Sequence, residues 1–322
     1  MNGTLTDVAG LEVGHWTNLD AGTGCTVVLC AGDGAVAGVD VRGSAPGTRE
    51  TDLLDPVNLI ERVHAVMIGG GSAFGLDAAG GVMRWLERRG RGVEVGDFRV
   101  PIVCAAVLFD LPVGRADVRP DAAAGEAACD AASSAAVPQG SVGAGTGASV
   151  GKALGFERAT KSGLGSASVR LGSGVVVAAL VAVNAFGDVV DPASGAVLAG
   201  PRLPHGGFAR TSEVLLESAP SVAPGSNTTL AVVATDATLT KAGATKVAQM
   251  AHDGLARTID PVHTMFDGDT VFALATGAAE TPADVTVVGS AAAGVLAAAV
   301  LAGMHAATGL AGLPSVSELV AG

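Results

Sequence analysis

The run PGSNTTLAVVATDATLTKAG, Pro224 to Gly243, reads as a bend, a buried strand and the start of a helix. Pro-Gly-Ser favours a turn, and TLAVVATDATL is an apolar, β-branched strand. KAGATKVAQMAHDGLARTI then spaces its apolar residues as a helix does. Between bend and strand stand Asn227, Thr228 and Thr229. A threonine hydroxyl is a weak nucleophile unless a base sits beside it. The residue's own α-amine, titrating at about 7.7–8.0, is one such base. An internal threonine gains that amine only if the bond before it is cut. The hydroxyl can make the cut by attacking the preceding carbonyl, leaving an ester that water hydrolyses. A bend at the bond and a rigid strand behind it are what this needs. Threonine at a strand start and asparagine in a turn are also ordinary without any such chemistry.

Outward from this stretch, strands and helices follow in a layered order. TVVLCAGDGAVAGVDV, from Thr26, reads as two strands around a turn, and VHAVMIGGG and VPIVCAAVLFDL as buried strands. LDAAGGVMRWLERRGRG reads as a helix stopped by glycine, and PDAAAGEAACDAASSAA as an alanine-rich helix. A glycine-dense loop, GSVGAGTGASVGKALG, precedes a strand, a turn and a long strand ending near Asn184. The segment from His205 to Ser226 reads as a surface connection, and TMFDGDTVFALAT as a turn and strand. Strands come in runs with helices set between them, which favours layered α/β packing over strict βαβ alternation.

The 322 residues suffice for a substantial core, and 49% are apolar with only 3% aromatic, so that core is built from small side chains. A formal charge of −12 argues against nucleic acid, whose phosphates need a basic face. Cys25, Cys30, Cys104 and Cys129 form no CxxC pair and read as buried reduced thiols. The N-terminus MNGTLTDVAG has no basic or apolar leader pattern, so a cytoplasmic protein is expected. SAAAGVLAAAVLAGMHAATGLAG, from Ser290, is long enough for a membrane span, but its alanine, glycine and His305 favour a buried core helix and no membrane partner.

Several patterns are decoys. GAGTGA (Gly143 to Ala148) fits GxGxxA but lacks a preceding strand, and no Asp or Glu lies between Arg158 and Phe186, where the acidic ribose partner is expected. GASVG places Ser149 as in a nucleophile elbow, yet loop leads into it and Lys152 follows at once. Asp267-Gly268-Asp269 holds either a hard cation or, more simply, a hairpin turn. Asn227-Thr228-Thr229 and Asn2-Gly3-Thr4 are glycosylation sequons of little use without a signal peptide.

Taken in order, VGHWTNLDAGTGCTVVL, MIGGGSAFGLDAAGGVMRWL, GAGTGASVGK, VAVN, NTTLAVVATDATLTK and HTMFDGDTVFAL resemble the self-cleaving L-aminopeptidase/D-esterase family, with its β-aminopeptidases, amidases and nylon-oligomer hydrolases. The likeness covers nearly the whole chain. It implies a four-layer α-β-β-α sandwich in one domain, cut into chains 1–227 and 228–322 that stay together. It implies Thr228 as nucleophile after cleavage at Asn227, Lys152 as a lysine of the site, and Asn184 as an amide donor to the oxyanion. Asp267 and Asp269 would orient the nucleophile. The expected substrate is a small peptide or amide, with no metal or cofactor, and the cleaved units would form a homo-oligomer such as a tetramer. An acyltransferase of the ornithine acetyltransferase type, or an uncleaved binding relative, are the alternatives. One departure stands out: near Phe109 other members carry a tyrosine that helps bind the oxyanion, and this chain has none anywhere. His15 and His263 read as structural or substrate-side, since a self-supplied amine needs no histidine.

Overall fold

The computed structural model describes residues 3–219, 223 and 225–321; Pro224 of the expected bend and Asn2 of the first sequon lie outside them. The main strands are Leu11–Asn18 (β1), Thr23–Cys30 (β2), Ala35–Val41 (β3), Ala65–Gly69 (β4), Val103–Val107 (β5), Leu164–Arg170 (β6), Val176–Asn184 (β7), Thr228–Thr235 (β8) and Thr270–Ala275 (β9). The helices are Ala78–Glu87 (α1), Ala122–Asp130 (α2), Thr211–Glu217 (α3), Lys241–Thr258 (α4), Val285–Ala306 (α5) and Val316–Ala321 (α6). Side-chain caps start three of them. Asp121 accepts from Ala124 N, Thr240 from Gly243 N, and Asp284 from Thr286 N and Val287 N, each satisfying an amide with no partner inside the helix.

The result is a mixed α/β fold with several sheets. A five-stranded sheet runs β1–β2–β4–β5 and ends on Gly47–Arg49. A six-stranded sheet runs β6–β7–β8–β9–β3 and ends on Arg62–Val63. Neighbours are antiparallel except β4 with β5 and β8 with β9. The two strands expected around Ala31–Gly34 both form, but they are not a hairpin. β2 pairs with β1 and β4, whereas β3 crosses to the other sheet and pairs with β9. Periodicity reports which residues are extended and says nothing about which strand each will meet.

Alternation along the strands separates three cores. Val27, Leu29, Met67 and Ala105 face α1 and α2. Val28, Ile68 and Ala106, from the opposite face of that sheet, meet Leu180, Val232 and Phe272 of the six-stranded sheet. Val181, Val233 and Val271, on the far side, pack against Ala248 and Leu255 of α4 and Leu296 and Val300 of α5. α5 is apolar enough by composition to cross a membrane, and half of its most apolar window is buried here against α4, β6 and β7. Close approach depends on glycine. A Cβ on Gly165 would lie 1.9 Å from the Ala299 carbonyl oxygen, so β6 and α5 meet backbone to backbone.

The four cysteines are free and buried, and burial pushes each thiol up to about 12. The expected surface connection between His205 and Ser226 contains α3, whose first amide is held by a distant residue: Thr211 N donates to Asp188 Oδ2 at 2.8 Å. A seven-residue helix with Leu216 exposed leaves little periodic signal.

Candidate active site

Pairing in the six-stranded sheet brings the site together. β7 runs antiparallel to β8, and the last residue of one faces the first of the other, Asn184 opposite Thr228. β9 runs parallel to β8 on its other side, so the segment before it, Asp267-Gly268-Asp269, arrives at the same end, and Asn227 bridges to Asp267. The glycine loop is tied on by its backbone: Gly151 N donates to Gly187 O at 3.0 Å and Lys152 N to Phe186 O at 3.1 Å. Gly151 has φ +68 and no room for a side chain, since a Cβ would fall 2.2 Å from the carbonyl carbon of Gly200.

All six residues singled out from the sequence therefore meet, and all are buried, with Thr228 the most exposed at 3%. The Thr228 hydroxyl donates to the carbonyl oxygen of Asn227. That oxygen also accepts from Gly268 N at 2.9 Å. The carbonyl of the bond expected to break is thus both polarised by an amide and in contact with the expected nucleophile. Lys152 Nζ donates to Asn184 Oδ1 at 2.8 Å and to Asn184 O at 3.2 Å. Ser149 N donates to the same Oδ1 at 3.1 Å, and Asn184 Nδ2 donates to Phe109 O at 3.1 Å. Two donors on one amide atom and an acceptor at the other fix the orientation of that side chain.

The two aspartates hold backbone. Asp269 Oδ1 accepts from Thr229 N at 2.7 Å, and its Oδ2 accepts from His263 N at 3.2 Å, with His263 Nδ1 at 2.7 Å. Asp267 Oδ1 accepts from Phe186 N at 3.0 Å, and its Oδ2 from Thr264 Oγ1 at 2.5 Å and Thr264 N at 3.2 Å. The hairpin turn expected at Asp267-Gly268-Asp269 does not form: the turn lies at Met265-Phe266, Asp267 bridges to Asn227, and the two carboxylates anchor the backbone around them.

Burial governs the electrostatics. It pushes the Lys152 ammonium down to about 7, against the pull of Asp267 and Asp110. It pushes Asp267 up to about 6, helped by the neighbouring charge of Asp269.

The sequence reading missed three neighbours. Asp110 is buried, holds Thr23 Oγ1 at 2.8 Å and Gly71 N at 2.7 Å, and is pushed up to about 6 by burial. Lys161 is buried with Nζ 3.0 Å from Gly145 O, and burial pushes it down to about 7. Asp110 interrupts an otherwise apolar run, VLFDLPV, which was its signal, whereas Lys161 stands among polar and charged residues and has none. The Gly268 amide has none, because a backbone donor has no letter.

Ser149 sits inside the site, but on a two-residue strand, Ser149–Val150, with no helix after it, so the nucleophile-elbow context is absent. Gly143–Gly145 is a single 3₁₀ turn. His15 lies apart from the cluster against Thr26 Oγ1 at 2.9 Å, and burial pushes it down to about 4. Among the described residues, no group of three or more His, Cys, Asp or Glu is placed to hold a metal ion.

Known proteins of like sequence put this chain among the amide and peptide hydrolases. It belongs to peptidase family S58, whose family model matches residues 3–316. It is 48% identical to an uncharacterized aminopeptidase of Mycobacterium tuberculosis, over 99% of this chain and 98% of that one. A 6-aminohexanoate-oligomer endohydrolase of Kocuria sp. is 32% identical, over 86% of this chain and 76% of its own. Among solved structures, a β-aminopeptidase of Burkholderia sp. superposes with a TM-score of 0.72 at 23% identity, covering 100% and 93% of the two chains. The L-aminopeptidase D-Ala-esterase/amidase of Ochrobactrum anthropi, described as a variant of the Ntn hydrolase fold, gives 0.71 at 21%, covering 95% and 86%. At those identities the likeness concerns the fold.

Proposed function

We propose that this chain is a self-processing amide hydrolase whose nucleophile is Thr228. The observation that carries the reading is the Thr228 hydroxyl set against the Asn227 carbonyl, which also receives the Gly268 amide. In the first step Thr228 Oγ1 bonds to the carbonyl carbon of Asn227. The carbon–nitrogen bond breaks, the nitrogen takes the hydroxyl's proton, and Asn227 is left as an ester on Thr228. Water hydrolyses that ester to a carboxylate at Asn227 and a free amine and hydroxyl at Thr228. In turnover this amine accepts the hydroxyl proton while Oγ1 attacks a substrate amide. The leaving amine takes the proton, and water releases the acyl group.

Lys152 lies beside Asn184, one ladder position from the nucleophile, where a cation stabilises negative charge developing on an oxyanion. Asp267 and Asp269 hold the backbone around it. In this reading the three cores described above are the interior of a four-layer α-β-β-α domain. Chains 1–227 and 228–322 stay joined through the ladders of β8 with β7 and of β9 with β3, and the cleaved units form a homo-oligomer. Relatives named as aminopeptidases and as a 6-aminohexanoate-oligomer endohydrolase point to an N-terminal or ω-amino-acid amide as substrate.

Purified protein run on a denaturing gel tests this. Spreading 31.2 kDa evenly over 322 residues and cutting after 227 gives bands of roughly 22 and 9 kDa. The smaller should begin Thr-Thr-Leu on N-terminal sequencing. An active enzyme that remains one intact chain refutes the proposal.

A further inference from the structure

His263 is a histidine that the proposed chemistry does not use, and it is the site residue with the most unusual backbone. Its φ is +56, a left-handed conformation uncommon for a residue with a Cβ. That conformation aims both its main-chain N–H and its ring at one atom, Asp269 Oδ2, at 3.2 Å and 2.7 Å. A carboxylate oxygen only accepts, so Nδ1 carries the proton in this contact. The ring's other nitrogen, Nε2, is buried with no partner among the described residues. The other oxygen of Asp269 holds Thr229 N–H at 2.7 Å. Asp269 therefore links His263 to the residue after the nucleophile.

This link matters more once the chain is cut. Before cleavage, Thr228 is held from both sides by its peptide bonds. Afterwards it is a chain end, located by its place opposite Asn184 and by the residue behind it, Thr229. A misplacement of about 1 Å at a reacting group costs about a hundredfold in rate.

We propose that His263 is a positioning residue: its Nδ1–H fixes the Asp269 carboxylate so that the carboxylate holds Thr229 N–H and keeps the Thr228 hydroxyl and amine in place. The inference rests on Thr228 being the nucleophile. The titratable and charged groups around His263 are Asp269 itself, with Asp267 beside it, His252 from α4, and Asp40 with Arg42 at the end of β3 against His252. His252 packs edge-on to the His263 ring at 4.7 Å between centroids, and burial pushes it down to about 4, so it is neutral at working pH. Asp40 is engaged by Arg42 Nε at 2.6 Å. The direct donor to Asp269 Oδ2 from a side chain is His263.

Two substitutions separate positioning from packing. Asn tolerates φ near +56 and carries an amide donor about where Nδ1 sits. Gly accepts the same φ with no donor at all. His263→Asn is expected to keep self-cleavage and kcat within about threefold of the parent. His263→Gly is expected to lower both by about 10- to 100-fold with KM nearly unchanged. If His263→Gly does not fold, His263→Gln, whose donor lies one bond too far out, takes its place with the same expectation. A His263→Gly enzyme as fast as the parent, or a His263→Asn enzyme as slow as His263→Gly, overturns the inference. Thr228→Ala is assayed alongside. If it is inert while His263→Gly behaves as the parent, only the role of His263 fails. If it is still cleaved and active, the nucleophile assignment fails first.

Discussion

Gly268→Ala isolates the one backbone donor on the scissile carbonyl. Gly268 is not among the residues with positive φ, so alanine meets no conformational penalty there, and the whole effect is steric. A Cβ built on it falls 2.5 Å from the Ala45 carbonyl oxygen and 2.9 Å from Thr228 Oγ1. An ordinary carbon–oxygen contact is about 3.3 Å or more, so the Gly268 segment must retreat by about 0.8 Å. Ala45 cannot easily give way, because its own N–H is tied to Asp267 O at 3.0 Å. A retreat of that size stretches the 2.9 Å bond from Gly268 N to Asn227 O beyond the normal range for N–H···O. Losing one oxyanion donor costs about 10²–10³ in rate, about 2.7–4 kcal/mol of barrier. The assay is a denaturing gel of freshly purified protein over time. The variant should be recovered largely as the intact 31.2 kDa chain and convert slowly to two bands. Circular dichroism and a thermal melt show whether it is folded. A folded Gly268→Ala protein that arrives fully cleaved would refute the assignment of that amide to the cleavage step.

Thr228→Ala should give a single uncleaved band and no amide hydrolysis, whereas Thr228→Ser, which keeps a hydroxyl, should still cleave; N-terminal sequencing and a nitroanilide assay decide both. Lys152 and Lys161, each pushed down to about 7 by burial, make stability depend on pH. Between about pH 7 and the ordinary lysine value of 10.5 the unfolded chain binds more protons than the folded one, so their contribution to stability rises with pH through that window. Urea midpoints should therefore climb from pH 7 to 9, and the climb should shrink in Lys161→Met; a flat profile in the parent contradicts the burial argument. Gly165→Ala, whose Cβ would lie 1.9 Å from Ala299 O, should destabilise the protein by about 1–3 kcal/mol through overpacking between β6 and α5, read as a lower melting midpoint. An unchanged midpoint would mean that this contact has slack.

Much of the architecture was legible because local signals carried it. The apolar run after Thr229 is β8, KAGATKVAQMAHDGLARTI and the alanine-rich PDAAAGEAACD hold α4 and α2, and the alanine-rich stretch near the C-terminus is a core helix. Strand periodicity and capping are properties of neighbouring residues, so they survive without knowledge of the fold. α3 was missed because a short helix with an exposed leucine has almost no periodic signal, and its N-terminal partner, Asp188, is 23 positions away. For the site, resemblance named Lys152, Asn184, Thr228, Asp267 and Asp269, but residue types and spacing alone left each with an ordinary explanation.

By itself, then, the amino-acid order determined the long core strands and helices though not α3, that the core is made of small side chains, and that a threonine stands at the mouth of a buried strand. Tertiary structure alone decided that β2 and β3 part company into two sheets, and that Asn184 faces Thr228 across a ladder while Gly268 turns its amide to the Asn227 carbonyl. It also decided that Lys152 is buried deeply enough to titrate at about 7 and that His263 meets Asp269. The reason is physical. Extension and helicity are set within a few residues, whereas desolvation, strand partners and the aim of a backbone N–H depend on groups that only the folded chain brings within a few ångströms.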